Sequence, residues 1–157
     1  MIRKLFVAAA GAALLTGCNQ GPPQPEQTVQ QLMANEVQPT AEIYWNAVGH
    51  VSELVDGQPV ERSFRPETDE DWQRVRNAAT RLGEFGTLLQ TPGYAEGRGE
   101  DWTEIAQSLV DVSKLAEQAA DSKDPDKVFE VGGTVYSVCS ACHQVYPPAG
   151  GEPGEAD

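Results

Sequence analysis

Two cysteines and a histidine near the C-terminus are the residues whose types and spacing best suit a chemical role. Cys139 and Cys142 are separated by two residues, and His143 follows the second cysteine directly. This Cys-x-x-Cys-His pattern is typical of covalent haem attachment. On a helix or tight turn the two cysteines project to the same side, so both sulfurs can form thioethers with the vinyl groups of one haem. The adjacent histidine can then bind the iron, so the pattern predicts one haem c.

Three other interpretations of the same residues remain open. A thioredoxin-type redox pair also uses Cys-x-x-Cys, but it expects a βαβ context, whereas this chain has helical periodicity. A structural zinc site needs four ligands, which Cys139, Cys142, His143 and His50 could just supply, without the second paired motif usual in zinc domains. A chance pair of buried cysteines is the third. The adjacent histidine, the helical context and the export signal favour haem c.

The N-terminus is organised like a bacterial lipoprotein signal peptide over residues 1–17. A basic head precedes an apolar run, residues 5–15, which is too short to span a bilayer as a mature helix. The run leads into Leu-Thr-Gly-Cys, which resembles the lipobox and predicts cleavage before Cys18 and lipidation of that cysteine; an ordinary secretory signal is the alternative. Asn19 favours the outer membrane in a Gram-negative host, so we expect a lipid-anchored periplasmic protein.

The charge of the chain restricts its partners. Cleavage would remove two of the 11 basic residues and none of the 24 acidic ones, which takes the formal net charge from -13 to -15. Such a surface repels nucleic acid and anionic lipid. It suits a redox partner protein with a basic docking surface, although solubility alone would also explain it. Residues 18–27 read as a flexible tether from the lipid, and residues 147–157 as a disordered tail.

Between tether and tail, apolar residues recur at three- and four-residue steps, the spacing of one helix face. We predict four helices and no strand. The first covers residues 28–55 with a kink at Pro39, the second begins at Thr68 or Asp69 and ends at Thr91-Pro92-Gly93, the third begins near Asp101, and the fourth runs from Asp124-Pro125 to about Tyr146. The connections permit antiparallel neighbours, so the predicted fold is all-α, an up-down-up-down four-helix bundle over residues 28–146.

A helical bundle with Cys-x-x-Cys-His near its C-terminus resembles the class II c-type cytochromes, the group of cytochrome c prime and cytochrome c556. The resemblance covers residues 27–146 in architecture and residues 139–146 in motif. It implies that the last helix carries the haem, that the first helix lines the other haem face, and that a homodimer can form. Family members commonly continue His-x-x-aromatic-basic. Here Tyr146 supplies the aromatic residue, whereas Pro147 replaces the basic one.

The residue opposite His143 decides the function. In an antiparallel bundle the start of the first helix lies beside the end of the fourth, which makes Met33 the candidate second iron ligand. A Met thioether opposite His would suit a one-electron carrier, as in the c556 branch. If Met33 only fills core volume, then Val29, Leu32 and Val37 would form an apolar pocket at five-coordinate iron. That arrangement resembles the c prime branch, whose members bind nitric oxide or carbon monoxide.

Other features of the sequence limit the remaining roles. His50 lies about four helical turns beyond Met33 on the predicted first helix, so we expect it to be too distant to bind the same iron. Catalytic triads and phosphate-binding loops are absent, so an enzyme is not expected. A helical lipoprotein without haem, acting as a binding module, is the third functional hypothesis beside electron transfer and gas binding.

Overall fold

The computed structural model describes residues 25–148, which are mostly helical with one small two-stranded sheet. The predicted signal peptide, the lipidation site at Cys18, most of the tether and most of the tail lie outside the described residues. None of the helices within residues 25–148 is both long enough and apolar enough to cross a membrane. The elements are α1 Val29–Leu32, a π-helix Met33–Val37, α2 Gln38–Trp45, β1 Gly49–Val55, β2 Gln58–Phe64, α3 Asp69–Leu89, α4 Pro92–Ala95, α5 Glu100–Asp121 and α6 Pro125–Val145.

The first predicted helix is wrong beyond Trp45, and the expectation of an all-α chain without strands is wrong with it. Residues 49–64 form an antiparallel β-hairpin, closed by the pair Val55 and Gln58 around Asp56 and Gly57. Both turn residues have positive φ, 52° and 74°, as a two-residue turn of the hairpin type requires. Asp-Gly is the strongest short-range hairpin signal. Here this signal outweighs the helical spacing of the preceding valines. A two-residue hairpin turn needs positive φ at both central residues, whereas a right-handed helix needs negative φ at both.

Where a kink at Pro39 was predicted, the structure has a π-helix, Met33–Val37, that ends two residues before the proline. The Gln38 N–H donates to the Met33 carbonyl, five residues back rather than four. Pro39 occupies the first turn of α2, where its missing N–H costs little. The chain therefore stays helical from Val29 to Trp45 with one wide turn in the middle.

Helices α3, α5 and α6 begin and end close to where the sequence predicts. Thr68 caps α3 through a capping box with Asp71, and Asp124 caps α6 with Pro125 as the first helical residue. α3 packs most extensively on α5, α5 packs on α6, and α2 packs on α3. The predicted inward positions of α3 are all buried, namely Trp72, Val75, Ala79, Leu82, Gly86 and Leu89.

Hydrogen bonds and ion pairs at the two ends of the molecule fix the helix directions. At one end, which we call the site end, Trp102 at the start of α5 donates to the carbonyl of Leu89 at the end of α3. At the opposite end, which we call the hairpin end, Lys123 after α5 pairs with Asp69 at the start of α3. Tyr146, after α6, packs on Trp102, so α6 finishes at the site end. α3 and α6 therefore run towards the site end and α5 runs away from it.

Candidate functional site: the end of the last helix

The inward face of α6 leads directly to the two cysteines. Val128, Gly132 and Val135 are buried along this face, and Cys139 continues it as a half-buried residue. Cys142, one turn later, is also half-buried, and both thiols are free. His143 follows on the exposed side of the same turn. The local geometry expected from the motif is present, with two thiols on one side of a helix and an imidazole beside them.

The environment of the thiols weakens the redox-pair interpretation. Burial raises the pKa of Cys139, and the neighbouring Cys142 raises it further. Burial also raises the pKa of Cys142, although the positive charge of Arg98 partly opposes that effect. Thiol–disulfide exchange uses a cysteine whose pKa is lowered. Burial here raises the pKa of both thiols instead, which disfavours them as redox nucleophiles.

The zinc interpretation loses its fourth ligand. His50 lies on β1 and not on a helix, and its exposed ring stacks edge-on against Phe129 at 6.4 Å between centroids. Phe129 precedes His143 by 14 residues of α6, which is about 21 Å of helix. Within residues 25–148, no group of three or more His, Cys, Asp or Glu side chains is arranged to hold a metal ion. The expectation that His50 lies far from the motif agrees with this placement.

Met33 lies towards the same end of the molecule as the motif. The Trp45 indole N–H donates to the Gly132 carbonyl at 3.0 Å, which ties the end of α2 to the middle of α6. α2 and α6 run in opposite directions. Twelve residues back from Trp45, across the π-helix, is Met33, and twelve residues on from Gly132 is Gln144. Met33 therefore lies towards the same end of the molecule as His143 and Gln144.

The start of the first helix belongs to the site end, as the predicted antiparallel arrangement requires. The Tyr94 hydroxyl donates to the carbonyl of Gln27, just before α1, at 3.1 Å. Met33 is half-buried and packs against the core, whereas Leu32 and Val37 are buried in it. Of the elements in the first helical stretch, α2 packs on α6.

A shallow cavity of about 220 Å³ lies between α2 and α6. Gly132 lies against two lining residues, since a Cβ there would come within ordinary van der Waals contact of Trp45 at 3.4 Å and of Tyr44 at 3.6 Å. Tyr136 borders the cavity with 63% of its surface exposed and its ring edge-on to Trp45. The lining is aromatic and aliphatic, with Tyr44, Trp45, Val48, Val128, Phe129, Gly132, Gly133 and Tyr136.

A cluster at the site end was missed by the sequence analysis. Trp102 is buried, Tyr146 packs edge-on against it at 5.0 Å, and the Arg98 guanidinium lies 4.3 Å from the centre of its ring. The Tyr146 hydroxyl donates to the Arg98 carbonyl at 2.7 Å. The only local signal for this cluster was Arg98 between two glycines, which indicates a tight loop but not what the loop approaches. No protein-family model, curated protein or solved structure matches the chain.

Proposed function

We propose that this protein is a monohaem c-type cytochrome that carries single electrons. One observation supports it above the others: Cys139 and Cys142 are free thiols on one half-buried side of α6, with His143 beside them. Thioether formation adds the S–H of a thiol across a vinyl double bond, so it uses two free thiols. The raised pKa of both thiols disfavours the redox-pair interpretation, and the position of His50 on β1 disfavours the zinc interpretation.

The residues around the motif fit a haem. Cys139 and Cys142 would hold it through thioethers, and an imidazole nitrogen of His143 would bind its iron. When bound, haem supplies an iron that alternates between two oxidation states. In the first helical stretch α2 packs on α6, and Leu32 and Val37 are buried in the core. Apolar surroundings tune the potential of such a centre.

Met33 is the proposed second ligand. It lies towards the same end of the molecule as His143 and at the first position of the π-helix, a wide turn of a kind often found at functional sites. A thioether opposite an imidazole raises the reduction potential and favours electron transfer. The second candidate is a gas-binding protein with five-coordinate iron. That candidate requires Met33 to serve as core packing instead of binding the iron. The half-burial of Met33 among apolar residues is compatible with a packing role.

The architecture supports a relation to the class II c-type cytochromes. The first helical stretch, α3, α5 and α6 alternate in direction, as an up-down-up-down four-helix bundle requires. The β-hairpin after α2 would be an addition to that bundle. Lipidation at Cys18 would attach the protein to a membrane on the periplasmic side. The acidic surface would steer a redox partner with a basic docking surface.

The test is a visible spectrum of the protein made in a host that matures haem c. We expect a Soret band, and a stained band on a denaturing gel after staining for covalent haem. The double variant Cys139→Ala with Cys142→Ala should lose the covalent stain, whereas the control His50→Ala should keep it. A wild-type protein without a Soret band would remove the cytochrome proposal and leave a helical lipoprotein that acts as a binding module.

The second ligand is tested in the same preparation. Met33→Ala removes the thioether, and Met33→Leu keeps most of the side-chain volume. Both variants should convert a sharp low-spin reduced spectrum into a broad high-spin one. An unchanged spin state in both variants would contradict ligation by Met33. A wild-type spectrum that is already high-spin would favour the gas-binding candidate.

A further inference from the structure

Arg98 differs from almost every other basic residue of the protein. Residues 25–148 contain nine lysines and arginines, and seven of them form ion pairs with carboxylates. Within that range Arg98 and Arg65 form none. Since the chain carries 24 acidic residues, an arginine without a carboxylate partner is unusual and its position matters.

The side chain of Arg98 is held in place by neutral contacts. Its Nε donates to the Tyr94 carbonyl at 2.8 Å, and its guanidinium lies over the Trp102 ring. The backbone on either side bends through Gly97 and Gly99, with φ of 77° and 89°. Side chains other than glycine rarely adopt such angles, so the sequence Gly-Arg-Gly fixes this loop. Within residues 25–148 the charge is therefore held in position without a carboxylate partner.

The loop that carries Arg98 is tied to the cysteine motif through Tyr146. The Tyr146 hydroxyl donates to the Arg98 carbonyl, and the Tyr146 N–H donates to the Cys142 carbonyl at 2.8 Å. Trp102 contacts both residues, with the Arg98 guanidinium over its ring and the Tyr146 ring edge-on to it. An arginine without a carboxylate partner within residues 25–148 thus lies on a loop joined to the end of α6 at Cys142, beside the residues proposed to hold haem.

We propose that Arg98 is a positioning residue that raises the reduction potential of the centre bound at Cys139, Cys142 and His143. The inference rests on the proposed function. Reduction adds one electron, and a fixed positive charge nearby favours the form with the extra negative charge. Arg98 acts through the electrostatic field of its guanidinium and not as a ligand of the iron. Arg98 is exposed, so solvent and salt screen part of its charge, while the Trp102 ring covers one face of its guanidinium.

The experiment measures midpoint potentials of the haem-loaded, full-length protein by spectroscopic redox titration. Arg98→Gln and Arg98→Met remove the charge, and Met also keeps an unbranched side chain that can cover Trp102. At a fixed ambient potential, both variants should show a reduced-to-oxidised ratio lower by about three- to tenfold, where tenfold corresponds to about 59 mV for one electron. Arg98→Lys should restore most of the wild-type ratio.

Arg65→Gln is the matched control. Arg65 also lacks an ion pair within residues 25–148, but it precedes α3 at the hairpin end, so its loss should leave the potential unchanged. The deficit in the neutral Arg98 variants should also shrink as salt rises from about 0.01 M to 1 M, because the screening length falls from about 30 Å to 3 Å.

Each contrary outcome has a distinct meaning. Neutral variants that bind haem and titrate at the wild-type potential would overturn the role of Arg98 alone. An Arg98→Lys potential as low as that of Arg98→Gln would assign the effect to packing on Trp102 and overturn the charge argument. A wild-type protein that takes up no haem would overturn the proposed function first and this inference with it.

Discussion

The site end and the hairpin end of this protein differ in how their aromatic and aliphatic residues are used. At the site end, Trp102 and Tyr94 are only 3% and 6% exposed, and each donates a hydrogen bond to the backbone of another segment. In the hairpin, Leu54 is 76% exposed and Phe64 is 44% exposed. The two strands pack on each other far more than on any helix. The site end is therefore packed into the core, while the hairpin extends from it.

This difference has a consequence for local stability. A lone two-stranded hairpin is marginal in water, because it buries little surface against the entropy of ordering its residues. The site end gains from buried aromatic area and from the hydrogen bonds that Trp102 and Tyr94 donate to backbone carbonyls. A metal centre needs ligands held within a narrow geometry, so the rigid end is the one suited to hold it.

The largest expected effect is on the site end. Trp102→Ala should lower the free energy of unfolding by about 3–5 kcal/mol, because it removes a buried aromatic side chain and leaves the Leu89 carbonyl without its donor. Denaturant unfolding followed by circular dichroism measures it. Leu54→Ala in the hairpin is the control and should stay within about 0.5 kcal/mol of wild type. Equal effects of the two substitutions would remove the contrast between the ends.

Hydrogen exchange compares the ends without any substitution. Backbone amides of α5 and α6 near the site end should exchange only through global unfolding, whereas those of β1 and β2 should open at least about 2 kcal/mol more easily. The reason is that the hairpin can open without exposing the helical core. Hairpin amides protected as strongly as those of α5 would contradict this and would show that the hairpin unfolds with the core.

The capping box at the start of α3 should give an intermediate effect with a defined pH dependence. Thr68→Ala should cost about 1 kcal/mol at pH 7. Hydrogen bonds from Thr68, first its side chain and then its backbone, lower the pKa of Asp71 from its ordinary value of 3.8. The stability that Asp71 contributes is therefore present above that ordinary value and is lost as the pH falls through the lowered one.

Thermal unfolding of wild type and of Thr68→Ala, measured at pH 7 and in acid, tests that dependence. Wild type should lose more stability between the two conditions than Thr68→Ala does, because the variant lacks the side-chain hydrogen bond that is the largest cause of the lowered pKa of Asp71. An equal loss in both proteins would mean that other carboxylates account for the acid sensitivity.

The smallest predicted effects come from two glycines. Gly133→Ala on α6 should stabilise the protein by about 0.5–1 kcal/mol, because a Cβ there meets nothing within 4 Å and helices favour alanine over glycine. Gly57→Ala in the hairpin turn should strain the turn, where φ is 74°, yet leave the main unfolding transition almost unchanged. Thermal melts of both variants measure this, and a large fall in the main transition for Gly57→Ala would couple the hairpin to the core.

Much of the helical scaffold could be predicted because its signals are local. Thr68 and Asp124 are capping residues next to apolar repeats, and they locate the starts of α3 and α6 correctly. The hairpin was missed although Asp56-Gly57 is itself a local signal. Val48, Val51 and Val55 also fit a helical spacing, which predicts that the first helix continues to the turn at Asp56-Gly57. A period of three to four residues over a few valines does not exclude strands.

The sequence by itself determined the chemistry of the candidate site, because a two-residue spacing and an adjacent histidine on a helix place Cys139, Cys142 and His143 together through covalent geometry alone. The positions of Met33 and Arg98 were decided only by the tertiary structure. Met33 is brought towards the same end of the molecule as His143 by the bond from Trp45 to Gly132, and Arg98 is brought to the end of α6 at Cys142 by Tyr146 and Trp102. Such contacts join residues far apart in the chain, and they depend on packing that no local pattern encodes.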